Sequence, residues 1–393
     1  MRPRPVRTAG LVALALLAGV VVPACGQGTF KLTFEPANDR NGLAWGEGWN
    51  DRLEKAPETL KKPHDALTEK AAYFLLDVNG KPAIVGVETD PLRLVVDTDG
   101  DGDLAEETLI EHPDPKQAGS VFVGATIKGA GADGADVPIA LKCILSDDGV
   151  PTNLLTRPAG VYRGEARLGD EKLTLILADT SYNGRPSDRT EPGVSADTIA
   201  IDYNSDGEFD LWDEIRPLPV ITNVGKAFYN VSVAPDGSTI TFTAATPKTG
   251  LVNVTAPGAI LSVSSEPGAY RVLLHGEPMP LPVGKYDVYT IQIIAWDDEG
   301  HQWRMQCLEL PEKLRTFEIR EGETTLIEIG PPMKAKAVPE RDGESIVVNV
   351  QVWGAYGERY FPYVRDGDPG GWTGMKILDE QGKELDSGEF EYG

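Results

Sequence analysis

The chain has 393 residues, 61 acidic against 37 basic, and a net charge of −24 at pH 7. That balance argues against nucleic-acid binding, which needs clustered Lys and Arg, and against adhesion to anionic headgroups. With 43 glycines and 30 prolines, the length predicts turn-rich β structure in roughly two to four domains.

Residues 1–27 read as a signal peptide. Arg2, Arg4 and Arg7 form its positive end and 11–22 its apolar run, too short for a bilayer span of about 20 residues. Two cleavage readings stand. Val22-Pro23-Ala24-Cys25 resembles a bacterial lipobox, with Cys25 lipidated as the new N-terminus; the other is an ordinary signal-peptidase cut at Ala24-Cys25-Gly26. Either predicts export to the periplasm, to the outer membrane through a lipid anchor, or to the outside. Disulfides are permitted there, and Cys143 with Cys307 is the remaining pair. Two buried thiols are the preferred reading.

Residues 28–70 form an N-terminal extension. Its stretch 42–49 is glycine-rich and carries Trp45 and Trp49, read as core anchors or a mobile arm rather than a sugar platform. Pro57 and Pro63 interrupt the helix-like composition of 51–70. From residue 71 the apolar period is two. Strand-like 72–76 and 83–87 flank an Asn79-Gly80 turn, a strong hairpin signal. A strand at 92–96 then ends in an acidic loop. The order recurs: 162–168 and 172–177 around Gly169-Asp170, then 198–201 ending at Asp202. Each acidic loop precedes a further strand pair, 121–128 with 137–145 and 227–234 with 238–244. This is an internal duplication, roughly 71–147 and 160–246. The expected units are 71–158, 159–246, a β-sandwich at 247–333 and a short β unit at 334–393. The fold class is mainly β, tandem antiparallel sandwich and hairpin domains with little helix.

The loops carry the chemistry. Asp97-Thr98-Asp99-Gly100-Asp101-Gly102-Asp103 places carboxylates at positions 1, 3 and 5 and glycine at 6, where the turn needs positive φ. Asp103 offers its carbonyl at 7. In the second loop Asp202, Asn204 and Asp206 fill positions 1, 3 and 5, Gly207 position 6, Glu208 position 7, Asp210 position 9 and Asp213 position 12. A tight loop turns alternate side chains onto one point, and hard oxygen ligands suit Ca²⁺. Both loops resemble the EF-hand and dockerin calcium loop. They differ in being entered from a strand and in lacking the bidentate Glu at position 12, where Thr108 and Asp213 stand. Structural calcium sites are therefore expected, not a helix-opening switch. Asp179-Thr180-Ser181-Tyr182-Asn183-Gly184 has similar spacing, but with neutral ligands and Arg185 beside it, a plain turn is expected.

Catalytic constellations are missing. There is no G-x-S-x-G and no H-E-x-x-H, and His64, His112, His275 and His301 are scattered singly. Gly129–Gly134 spacing looks like G-x-G-x-x-G without a following helix and reads as a loop. Trp296 and Trp303 read as cross-strand packing. In the third β region, Leu281-Pro282-Val283-Gly284-Lys285-Tyr286 and 322–330 resemble carboxypeptidase-regulatory-like, prealbumin-type sandwiches. In family terms the chain resembles exported bacterial proteins of unknown function with EF-hand-like loops. The paired loops and sandwich modules without a catalytic motif are read as a calcium-binding, non-catalytic, structural or adhesive protein whose partners are calcium and a cell-surface protein or glycan. The alternatives are a carbohydrate-binding surface module and a hydrolase using a carboxylate pair.

Overall fold

Apolar residues at every second position, broken by Gly, Asn and Asp, build strands along most of the described chain. A computed structural model describes residues 26–37, 48–111, 121–189, 196–209, 214–265, 268–274, 277–296, 299–343, 345–361, 364–365, 368–369 and 374–389. Residues 1–25 of the expected signal segment, Cys25 included, lie outside them, as do Trp45, His112, Asp210, Asp213 and His275.

Three short strands come first: β1 (Gly28–Lys31), β2 (Thr33–Pro36) and β3 (Gly48–Asp51). Then β4 (Ala72–Val78), β5 (Lys81–Thr89), β6 (Leu92–Val96) and β7 (Leu109–Glu111) form an antiparallel meander. Along β4, Ala72, Phe74, Leu76 and Val78 are buried while Leu75 and Asp77 face solvent. The period of two thus reads directly as an inside and an outside. A second sheet holds β8 (Val121–Ile127), β9 (Val137–Leu145) and β10 (Pro151–Pro158), and β3 covers the edge of β10. Phe74, Val85, Leu94, Ile139, Cys143 and Leu154 share the core between the two sheets.

The plan repeats strand for strand. β11 (Gly160–Leu168), β12 (Glu171–Ala178), β13 (Thr198–Asp202) and β14 (Ile215–Pro217) form a meander. β15 (Ile221–Val224), β16 (Ala227–Val233) and β17 (Thr239–Ala245) form the facing set. Here β1 covers β17 as β3 covers β10, and β2 extends the meander beyond β11. Leu32, between β1 and β2, enters the second core with Leu175, Ile201, Tyr229 and Phe242. Residues 28–70, read as an extension, therefore supply edge strands to both units. The sequence hides this because four-residue strands carry too few alternations to register.

The third region contains β18 (Thr249–Val254), β19 (Ala259–Ser265), β20 (Gly268–Leu274), β21 (Met279–Pro282), β22 (Gly284–Trp296) and β23 (Gln302–Glu309). These are followed by α1 (Glu312–Arg315), β24 (Thr316–Ile319), β25 (Thr324–Ile327), β26 (Lys334–Asp342), β27 (Ser345–Trp353) and β28 (Arg359–Tyr360). β18, β21 and β25 make a small sheet of their own. β28 pairs with both β23 and β27, so the boundary expected at 333 falls inside one sheet. Leu261, Tyr270, Tyr286, Ile291, Cys307, Ile319 and Tyr360 share its core. β15 pairs in parallel with β20 at Ile221 and Gly268, which joins the second unit to this region in a 14-stranded sheet among the described residues. Short hairpins follow: β29 (Val364–Arg365) with β30 (Asp368–Pro369), and β31 (Gly374–Leu378) with β32 (Glu384–Glu389). The protein is mainly β, in several antiparallel sheets with little helix. Among the described residues no helix is long and apolar enough to cross a membrane.

Candidate metal-binding loops

The two acidic loops occupy equivalent places, the first between β6 and β7, the second between β13 and β14. Both leave a central strand of a meander, so position 1 is buried at the strand end while later positions reach solvent. Asp97 and Asp202 are each 2% exposed; Asp99, Asp101, Asn204 and Asp206 are exposed. Positive φ falls at the same two positions: Gly100 (79°) and Gly102 (83°) in the first loop, Ser205 (60°) and Gly207 (82°) in the second.

Backbone bonds hold the first loop in shape. Asp97 Oδ1 accepts from Gly100 N (2.8 Å) and Asp101 N (3.1 Å), and its Oδ2 accepts from Gly102 N (3.0 Å). Asp99 Oδ1 accepts from Asp101 N (3.3 Å) and Asp101 Oδ1 from Asp103 N (2.7 Å). The second loop repeats the set. Asp202 accepts from Ser205 N (2.6 Å) and Gly207 N (3.2 Å), Asn204 Oδ1 from Asp206 N (2.9 Å) and Asp206 Oδ1 from Glu208 N (2.8 Å). Position 2 is clamped in both by a following glutamate: Thr98 N donates to Glu107 Oε1 (2.7 Å), Tyr203 N to Glu214 Oε1 (3.0 Å). The sequence places Glu107 and Glu214 beside position 12 of their loops; in the structure both act on backbone rather than at a ligand position.

In the first loop one oxygen each of Asp97, Asp99 and Asp101 lie within 4.8 Å of one another. Three carboxylates at that spacing repel unless a cation sits among them. Lys128, at the end of β8, places Nζ 3.4 Å from Asp99 Oδ2, and the Asp99 carboxylate holds the ammonium pKa above its ordinary value. Asp103 caps a short 3₁₀ turn, accepting from Ala105 N (2.9 Å). Its neighbour Gly102 is pressed against 59–62: Lys61 N donates to Gly102 O (2.8 Å), and a Cβ on Gly102 would lie 2.3 Å from Thr59 O. Segment 51–70, helix-like in composition, is instead the irregular wall behind this loop. Asp210 and Asp213 of the second loop are among the residues not described.

The turn at 179–184 follows the same path, with Tyr182 (55°) and Gly184 (81°) at positive φ. Asp179 accepts from Asn183 N (3.2 Å) and Gly184 N (2.8 Å). Asp188 and Asp197, which the spacing did not suggest, complete it. Asp188 accepts from Ser181 Oγ (3.3 Å) and Asn183 Nδ2; Asp197 accepts from Ser181 N (3.1 Å) and Asp188 N (2.8 Å). Burial first, then the Asp179 charge, push Asp197 up to about 7. Burial also raises Asp179, with Asp188 adding to it. Asp197 is 0% exposed, so it cannot reach a glycosidic oxygen. These acids hold a turn whose Tyr182 packs on the first core and donates to Thr156 O (3.1 Å).

The other chemical candidates are dispersed. Cys143 and Cys307 are free thiols in different cores, and burial pushes them up to about 12 and about 11. His64 Nδ1 accepts from Ala66 N (3.0 Å) in a turn, and His301 lies 3.5 Å from Glu299. No family model matches the chain, no curated protein matches it, and no solved structure matches its fold.

Proposed function

We propose that the chain is an exported calcium-binding protein whose two acidic loops hold Ca²⁺ structurally, in a non-catalytic, architectural or adhesive role at the cell surface or in the periplasm. The observation that carries this reading is the convergence of the Asp97, Asp99 and Asp101 oxygens within 4.8 Å. The same backbone scaffold recurs in the second loop. All-oxygen donors on a turn open to solvent suit Ca²⁺, which takes six to eight oxygens and accepts water among them. Asp97 and Asp99, Asp101 and the Asp103 carbonyl would hold the first ion, and Asp202, Asn204, Asp206 and Glu208 the second. Lys128 would have to release Asp99 as the ion enters.

Calorimetric titration of the mature protein tests this. Two calcium ions per chain are expected, with Asp97→Ala and Asp202→Ala each removing one. No binding at millimolar Ca²⁺ contradicts it. A second reading, glycan contact, is supported by aromatics that face solvent, Trp49 at 66%, Tyr289 at 64% and Trp296 at 58% exposure. A glycan array in which Trp296→Ala removes a signal would favour it.

A further inference from the structure

We infer that calcium at the second loop also tightens the junction between the second β unit and the third region, with Tyr203 as the positioning residue. The inference rests on the calcium reading above and names what that site controls.

Tyr203 directly follows Asp202, position 1 of the loop. Two guanidinium groups lie over its ring, Arg216 Cζ of β14 at 5.1 Å and Arg271 Cζ of β20 at 4.9 Å from the centroid. Its hydroxyl accepts from Arg216 Nη2 (2.7 Å) and donates to Asn223 O of β15 (3.4 Å). Asn223 is itself the tie to β20. Its Nδ2 donates to Arg271 O (2.7 Å) and its Oδ1 accepts from Arg271 N (2.9 Å). Beside it, Thr222 Oγ1 donates to Ala269 O (3.0 Å).

Backbone pairing contributes little here, because β15 and β20 share the register pair Ile221–Gly268 alone. The joint is carried by these side chains and by apolar burial: Ile221 and Phe228 share one core with Leu261 and Tyr270, the Phe228 and Tyr270 ring centroids 6.2 Å apart. A stacked cation–π arrangement holds only while the ring stays in place. The ring's place is set by the backbone between Asp202 and Asn204, both proposed ligands. An ion that fixes those two residues fixes the ring. Without it, the backbone on either side of Tyr203 is held only by the loop's own hydrogen bonds, among them Asn204 Nδ2 to Asp206 Oδ2 (2.8 Å). Linkage makes the effect reciprocal: order gained at the joint strengthens calcium binding.

The first loop lacks this connection. Thr98, at the same position, gives both its N and its Oγ1 to Glu107 within its own unit. The two sites therefore differ in what they control.

Hydrogen exchange of the mature protein, with and without Ca²⁺ and with calcium stoichiometry measured in parallel, tests the inference. Calcium is expected to slow exchange at 268–274 severalfold in the wild type and in Asp97→Ala, and not in Asp202→Ala. Tyr203→Ala should bind as many ions as wild type yet lose this protection. Arg271→Met, which removes the cation facing the ring, should weaken it. Full protection in either of these two variants overturns the inference, as does wild type that binds calcium at the second loop with no change at 268–274. If Asp202→Ala leaves the stoichiometry unchanged, the calcium reading of that loop fails and the inference falls with it.

Discussion

At the residue scale, each loop depends on its first aspartate and on its second left-handed position. Asp97 takes three backbone N–H groups at a strand end, so Asp97→Ala should cost about 2–4 kcal/mol even in chelator. The two glycines at position 6 separate backbone strain from contact. Gly207 has nothing within 4 Å of a built Cβ, whereas Gly102 meets Thr59 O. Gly207→Ala should cost about 1–2 kcal/mol, and Gly102→Ala about 1–3 kcal/mol more, by urea unfolding in EGTA. Equal costs would mean that Gly102 is not pressed against 59–62. Asp197 gives a pH test. Its folded pKa, about 7, lies above the usual aspartate value near 3.9, so between these values the folded state binds the extra proton. Its contribution is present at low pH and lost as pH rises through 7. In EGTA, wild type should gain stability relative to Asp197→Asn as pH falls from 8 to 5; a difference flat with pH would contradict this. Position 1 of each loop was legible from spacing alone, because turn chemistry is local. The partners Lys128, Asp188 and Asp197 were not, because folding brings them in.

At the element scale, the hairpins were legible where Asn-Gly or Gly-Asp turns separate long alternating runs, as between β4 and β5 or β11 and β12. β7, β14 and β15 were passed over at three or four residues each. Long-range pairing was illegible altogether. Nothing in residues 28–31 signals a partner more than two hundred positions away, yet Phe30 faces Ile240 in register. Leu32 is 7% exposed in the second core, so Leu32→Ala should destabilise the second unit by about 2–5 kcal/mol. The check is hydrogen exchange of β16 and β17; exchange equal to wild type would mean that β1 and β2 add nothing to that unit.

At the scale of the whole molecule, the duplication extends further than sequence likeness indicated. Both units use a meander, a facing three-stranded set and a closing strand from the N-terminal segment. Each keeps one acidic loop at the same turn. That symmetry makes the loops a property of the plan, and calcium its most direct test. Ligand present at 100 times Kd stabilises by about 2.7 kcal/mol per site. Thermal unfolding of the protein in Ca²⁺ and in EGTA, beside the Asp97→Ala/Asp202→Ala double variant, measures this. A calcium-dependent rise in Tm that vanishes in the double variant is the predicted result. Identical melting of the wild type in calcium and chelator would contradict the account.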